Sequence, residues 1–148
     1  MKQHTKPTIR LGRPPFWRAL KWRFPEYHPD GKVAVSCGRV VYANDRHIPE
    51  DFLQHEAVHL EQQGHSYTGA ALWWLRYLTS TTFRLEQEVE AFHAQYRWIV
   101  ANPRFWGIRH PREALPLFAE QLASPLYGSM VGIVEATNLV KYGLPRKA

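Results

Sequence analysis

The feature that constrains this chain most is the pentad His55-Glu56-Ala57-Val58-His59, within a segment that predicts one helix over about 49–63. Side chains four residues apart lie on the same face of a helix, so the two imidazoles can bind one metal ion without strain. Glu56 reaches the edge of that face, where it can take a proton from a metal-bound water. The pattern HExxH on a helix is typical of a zinc site in which the glutamate is the general base.

The residues around the pentad favour a helix of this extent. Pro49 suits the first turn of a helix, and Glu50 and Asp51 follow where the helix dipole favours carboxylates. No Pro or Gly interrupts the segment before Gly64, which is well placed to end it. We therefore expect both histidines on one ordered helix.

The rest of the sequence predicts a single α+β domain over residues 1–148, mainly helical, with a small β-hairpin beside the HExxH helix. A length of 148 residues suffices for one core, and the 45% hydrophobic content is that of a globular protein. Val- and Tyr-rich segments on either side of Cys37-Gly38 predict the hairpin. The predicted elements are a helix over 16–24, hairpin strands over 32–36 and 39–43, and helices after Tyr67, over 83–100, over 113–123 and over 134–142.

Positive charge is concentrated near the start of the chain. The net charge is +6, and residues 1–32 hold eight Lys or Arg against two acidic residues. Residues 1–15 are also rich in Pro and predict an extended basic arm. Such an arm could bind an anionic partner, a nucleic acid or a lipid surface, although a solvated arm is the simpler interpretation. The six tryptophans stand at helical spacing, which is more typical of core residues than of stacking platforms.

Three features bear on where the protein acts. Cys37 is the only cysteine, so no internal disulfide is possible and nothing indicates an oxidising compartment. The first residues lack the apolar core of a secretory signal. The most apolar run, residues 70–75, ends at Arg76 and is too short to span a bilayer. We expect no transmembrane segment and a cytoplasmic protein, with association with a virion as a further option.

The third ligand of the expected zinc site has two candidates, since catalytic zinc usually takes three protein ligands and a water. His65 lies ten residues after His55, the spacing of the pattern HExxHxxGxxH. That pattern needs a Gly at its eighth position so that the chain can turn sharply. Gln62 occupies that position, and Gly64 comes two residues later. His65 is therefore kept as the alternative third ligand.

The other candidate lies on the predicted helix over 83–100, which carries three glutamates. Glu86 and Glu90 share a face beside apolar residues, where a carboxylate is costly unless it is paired or binds a metal. Glu86 is the predicted third ligand, and Glu90 is predicted to accept a hydrogen bond from the outer ring N–H of a ligating histidine. Glu88 points elsewhere on a regular helix, although a shift in helix phase would exchange its role with that of Glu86.

The order of these features resembles the gluzincin clan of zinc metallopeptidases, whose third ligand is a Glu on a following helix. The hairpin precedes the HExxH pentad, a hydrophobic helix over 69–77 follows it, and the glutamate-rich segment comes last, over 86–91. The chain is similar in particular to the small single-domain minigluzincins of bacteria and phages, over about residues 33–100.

This resemblance implies a zincin-like fold and a cofactor, Zn²⁺, bound by His55, His59 and Glu86. It also implies that Glu56 is the base and that Glu90 supports a ligating histidine. The larger families carry Asp where Glu90 stands, and the extra methylene changes how that carboxylate meets the imidazole.

The predicted activity is zinc-dependent hydrolysis of a peptide or protein substrate. Glu56 would take a proton from the attacking water and pass it to the leaving amine. A strand over 39–43 could bind an extended peptide by strand addition. The alternative is a non-catalytic zinc-binding structural or interaction protein, for example a phage component. The candidates for stabilising the oxyanion are Tyr67, Tyr77, His65 and His93.

Overall fold

Helices dominate the computed structural model, which describes residues 6–26, 34–104 and 111–145. The α+β class predicted from the sequence is confirmed. The helices in these ranges are α1 (Trp17–Arg23), α2 (Glu50–Gln62), α3 (Tyr67–Thr79), α4 (Thr81–Ala101), α5 (Ala114–Ala123) and α6 (Ile133–Tyr142). The strands are β1 (Thr8–Leu11), β2 (Ala34–Cys37) and β3 (Val40–Ala43), and short 3-10 turns span Pro111–Glu113 and Pro125–Tyr127.

The sheet has the strand order β1-β3-β2, which places β3 in its centre. β2 and β3 form the predicted antiparallel hairpin, with Cys37 opposite Val40, so the turn is Gly38-Arg39 and not Cys37-Gly38. Gly38 has a φ of 65°, which a glycine adopts without strain at the first central position of a tight hairpin turn. Because β3 also pairs with β1, both of its edges are occupied. The predicted addition of a substrate strand to residues 39–43 is therefore wrong.

Part of the predicted basic arm belongs to the sheet. Residues 8–11 pair in parallel with β3 as β1, so this segment is extended but not free. The guanidinium of Arg10 lies over the ring of Tyr42, 5.9 Å from its centroid. Residues 1–5 of the arm and residues 32–33 at the predicted start of the hairpin lie outside the described part of the chain.

The helix α4 contacts α2, α3, α5 and α6 and is the centre of the helical layer. Ser80 fixes the junction between α3 and α4. Its N–H donates to the carbonyl of Arg76 at the end of α3, and its hydroxyl accepts from the N–H of Phe83 at the start of α4. This single-residue connection holds the end of α3 in a fixed position against the first turns of α4.

The core of the described residues consists of three apolar clusters. One lies between the sheet, α1 and α3, another between α4, α5 and α6, and a smaller one between the sheet and α2. Trp73 and Trp74 are buried in the first cluster, whereas Trp22 is 83% exposed. None of the helices in the described ranges is long and apolar enough to cross a membrane.

Candidate metal centre

The two histidines of the HExxH pentad face the interior from α2. Their Nε2 atoms lie 3.1 Å apart, and their rings are nearly perpendicular, at 81°. Both side chains are buried, with 1% of His55 and 5% of His59 exposed. The four-residue spacing on α2 therefore brings two ring nitrogens to one interior point.

The carboxylate of Glu88, on α4, reaches the same point. Its Oε2 lies 3.3 Å from Nε2 of His55, and its Oε1 lies 3.4 Å from Nε2 of His59. Zinc bonds of about 2.0–2.1 Å at tetrahedral angles would separate the ligand atoms by about 3.3 Å. Among the described residues, His55, His59 and Glu88 form a buried group that could hold a metal ion.

The hydrogen bonding of Glu88 also fits a cation at this point. Its Oε2 is buried and has no hydrogen-bond partner within the described ranges. A buried charged oxygen without a hydrogen bond is costly, and metal coordination is one of the ways in which proteins satisfy it. The three side chains therefore fit a bound metal ion in both geometry and charge.

The phase of α4 brings Glu88, and not the predicted third ligand Glu86, to the two histidines. At 100° per residue, Glu88 lies about 60° from the middle of the apolar stripe, Glu86 about 100° and Glu90 about 140°. Glu88 is accordingly 2% exposed, whereas Glu86 is half-buried and Glu90 is exposed. The apolar stripe consists of Leu85, Val89, Phe92, Tyr96 and Ile99.

The alternative third ligand, His65, lies away from this group. It is an exposed residue just beyond the end of α2, with a φ of 49°, and its carbonyl accepts a hydrogen bond from Nε of Arg39. Gly64 precedes it with a φ of 67°. The chain turns here to begin α3 and does not bring His65 back towards His55.

Glu90 lies behind His59 but does not touch it. Nδ1 of His59 lies 2.8 Å from Oε1 of Gln62, and Nε2 of Gln62 donates to Oε2 of Glu90 over 2.9 Å. Gln62 also donates to the carbonyl of Gln87 over 3.1 Å. The direct hydrogen bond predicted between Glu90 and a ligating histidine is thus replaced by an indirect one, through the amide of Gln62.

A second amide lies behind His55. Nδ1 of His55 lies 3.2 Å from Oε1 of Gln95, and Nε2 of Gln95 donates to Oδ2 of Asp51 over 2.7 Å. Both Gln95 and Asp51 are buried. This pair was not predicted from the sequence, although Gln95 stands two helical turns after Glu88 and Asp51 one turn before His55. That spacing is the signal that could have found them.

The hairpin fixes Glu56 beside the histidines. Ser36, on β2, donates its hydroxyl to Oε2 of Glu56 over 2.7 Å. Glu56 is buried, and this burial raises the pKa of its carboxyl, against the lowering effect of His59 and His55. The side chain of Gln63 ties the hairpin to α2, because it accepts from the N–H of Gly38 and donates to the carbonyl of Ser36.

Of the four residues considered for stabilising an oxyanion, Tyr77 is the one that lies beside His55, His59 and Glu88. Its hydroxyl donates to Oε1 of Glu88 over 2.6 Å. Tyr67 is 57% exposed, and Nδ1 of His93 lies 2.9 Å from the carbonyl of Val140, a structural hydrogen bond. Burial, and then Glu88, raise the pKa of Tyr77 well above its ordinary value, so this hydroxyl keeps its proton.

A small cavity of about 60 Å³ lies beside His55, His59, Glu56, Glu88 and Tyr77. This volume holds a few water molecules but not a peptide. Apolar side chains form the other wall of the cavity, namely Leu20 of α1, Phe24 just after this helix, and Leu126 and Tyr127 from the turn after α5.

His59 and Glu88 form a charged pair in the metal-free protein. Burial lowers the pKa of His59, but the carboxylate of Glu88 more than offsets it and raises the pKa to about 9. Burial also acts to raise the pKa of Glu88, but the positive charge of His59 beside it outweighs this effect and lowers that pKa. A metal ion must displace the proton of His59 before this nitrogen can bind it.

We expect the stability of the metal-free protein to fall as the pH rises from 6.5 to 9. The pKa of His59 rises on folding from an ordinary 6.5 to about 9, so its contribution is complete below pH 6.5 and lost through pH 9. The raised pKa of Glu56 acts in the same direction above its ordinary value of 4.5, whereas the contribution of Glu88 is lost below pH 4.5. Urea unfolding of the chelated protein should show a loss of roughly 1–3 kcal/mol over this range.

His59→Gln is the control for this pH dependence. The variant has no imidazole at this position, so its stability should change less between pH 6.5 and pH 9 than that of the wild type. An equal loss in the variant would assign the dependence to another group.

Comparisons with family models, with curated proteins and with solved structures find no significant match to this chain.

Proposed function

We propose that this protein is a zinc-dependent metallopeptidase of the gluzincin type, with His55, His59 and Glu88 as the metal ligands. The observation that carries the proposal is the convergence of these three side chains, with Glu56 beside the same cavity. A structural zinc site usually has four protein ligands, whereas a catalytic one has three and keeps a position for water. The three ligands found in the described part of the chain, with a neighbouring carboxylate, fit the catalytic arrangement.

The donor set supports zinc among the possible metals. Two imidazoles and one glutamate are the ligands of one established class of catalytic zinc sites. When bound, a zinc ion polarises the substrate carbonyl and lowers the pKa of its water ligand to about 7. The same two-histidine, one-carboxylate set also serves non-haem iron, so a metal analysis belongs to the first test of the proposal.

Glu56 and Tyr77 have distinct roles in the proposed reaction. The carboxylate of Glu56 accepts a proton from the attacking water and returns it to the leaving amine. The hydrogen bond from Ser36 restricts this carboxylate to one orientation. The hydroxyl of Tyr77 keeps its proton and donates a hydrogen bond to Oε1 of Glu88, so Tyr77 orients the proposed third ligand.

A peptide substrate must be able to reach the metal site. The cavity beside Glu56 is too small for a peptide, and Leu20 of α1 and the adjoining Phe24 form part of its wall. Turnover therefore requires a displacement of α1, of the turn at Pro125–Tyr127, or of both. Conformational steps of this kind limit the rate of many enzymes.

A second candidate function is a non-catalytic zinc protein, and the small volume of the same cavity favours it. In that case the ion would hold α2 and α4 together, with no exchange of substrate at the open position. Hydrolysis distinguishes the two functions. Zinc-dependent hydrolysis supports the metallopeptidase, and bound zinc without hydrolysis supports the non-catalytic protein.

Removal of the metal is the direct test of the proposed activity. We expect the purified protein to contain about one zinc per chain and to cleave casein or members of a peptide library. Dialysis against a chelator should abolish the cleavage, and added Zn²⁺ should restore it while Mg²⁺ should not, because imidazole ligands disfavour magnesium. A protein without a stoichiometric transition metal would contradict the whole assignment.

A further inference from the structure

We propose that Asp51 and Gln95 form a positioning pair that fixes the ring tautomer of His55, so that its Nε2 presents a lone pair to the metal site. The inference rests on the proposed metal function, and it concerns residues outside the HExxH pentad and the third ligand. Hydrogen bonds connect Asp51 to Gln95 and Gln95 to His55, and each of these groups can either donate or only accept.

The order of donors starts at Asp51, whose carboxylate oxygen Oδ2 accepts a hydrogen bond from Gln95. Nε2 of Gln95 lies 2.7 Å from Oδ2 of Asp51, so the amide must turn its NH₂ group towards that carboxylate. Its carbonyl oxygen, Oε1, then faces Nδ1 of His55 at 3.2 Å. A carbonyl oxygen can only accept, so Nδ1 must carry the hydrogen and Nε2 must be free of it.

Burial of these three side chains prevents the amide of Gln95 from adopting the opposite orientation. Asp51, Gln95 and His55 are between 1% and 3% exposed, so water cannot replace a lost hydrogen bond. A rotated amide would place its oxygen against the carboxylate of Asp51 and its NH₂ against the ring. Two acceptor oxygens would then face each other inside the protein with no hydrogen between them, which disfavours the rotated amide.

The amide of Gln62 contacts His59 as that of Gln95 contacts His55, but different acceptors hold it in place. Gln62 donates both to Glu90 and to the carbonyl of Gln87. The backbone carbonyl can only accept, so it holds the amide in the same orientation without Glu90. By contrast, the NH₂ group of Gln95 has Asp51 as its acceptor, and no other among the residues described.

This difference provides a matched pair of variants, Asp51→Asn and Glu90→Gln, each of which replaces a carboxylate by its amide. In Asp51→Asn the new side chain can donate or accept, so Gln95 is free to rotate and His55 can place its hydrogen on Nε2. We expect the affinity for Zn²⁺ to fall about 10–100-fold, the range typical of an outer partner of a metal-binding histidine. In Glu90→Gln the carbonyl of Gln87 still fixes Gln62, so the affinity should fall less than about threefold.

The experiment measures two quantities on the full chain. Competition with a chromophoric chelator gives the affinity for Zn²⁺ alone, and ¹⁵N chemical shifts of the His55 ring give the tautomer in the metal-free protein. The wild type should show hydrogen on Nδ1, and Asp51→Asn should show a population with hydrogen on Nε2. The double variant Asp51→Asn/Gln95→Glu should regain affinity, because Glu at position 95 can only accept from His55.

The outcomes separate the two proposals. Absence of zinc binding in the wild type overturns the proposed function, while the wild-type tautomer still tests the positioning pair. Equal losses of affinity in Asp51→Asn and Glu90→Gln, or hydrogen on Nε2 in the wild type, overturn the positioning pair alone. If Asp51→Asn does not fold, Gln95→Leu removes the acceptor and should lower the affinity by a similar factor, and an unchanged affinity would count against the pair.

Discussion

Replacing Glu88 with glutamine is expected to lower the affinity for Zn²⁺ at least about 100-fold, which is more than an outer partner of a ligand typically contributes. The amide keeps the shape of the side chain but brings no negative charge to the two imidazoles, and its NH₂ group cannot bind a cation. Competition with a chromophoric chelator measures this loss. Circular dichroism establishes that the variant is folded.

Glu86→Gln is the matched control, with the same chemical change on the same helix two residues earlier. Glu86 is half-buried and lies about 100° from the apolar stripe, so the affinity should change by less than about fivefold, the effect of a partly exposed ion pair. A large loss in Glu86→Gln with none in Glu88→Gln would restore the original prediction and would require a different phase of α4.

Replacing Glu56 with glutamine is expected to reduce peptide hydrolysis by about 10²–10⁴-fold, the usual contribution of a general base, while the affinity for Zn²⁺ stays nearly constant. The amide can still accept the hydrogen bond of the Ser36 hydroxyl, so the local structure should persist. It cannot accept a proton from water. Steady-state kinetics on a cleaved peptide, together with zinc titration, separates the two effects.

Glu61→Gln controls for the loss of a carboxylate from α2, because Glu61 is exposed and on the same helix. Hydrolysis by this variant should stay close to that of the wild type. Wild-type rates in Glu56→Gln would exclude this residue as the base and would leave the metal site without the proposed proton acceptor.

The local parts of the fold and of the site could be predicted from the sequence. The helix around His55 and His59 depends on spacing and on end signals at Pro49 and Gly64, all of which are local, and the observed α2 spans Glu50–Gln62. The hairpin was found for the same reason, with its turn displaced by one residue. The β-strand at residues 8–11 was missed because its pairing is with a distant segment, and nothing local indicates it.

The choice among Glu86, Glu88 and Glu90 depends on the direction of the apolar stripe on α4. Apolar neighbours alone favour Glu86, whereas the whole stripe from Leu85 to Ile99 lies nearest to Glu88. The amides that support the histidines are harder to predict. Gln95 and Asp51 belong to different helices, and only the packing of α2 on α4 brings them together.

The apolar wall contributed by Leu20, Phe24 and Leu126 has a kinetic consequence for an ion held by this group. Because His55, His59 and Glu88 are buried, the residence time of the ion depends on how often the protein opens locally as well as on the strength of the bonds. An ion acquired while the chain is folding would then remain through long periods of metal scarcity. The metal that the protein contains would then depend on which metal ions were present when it was synthesised.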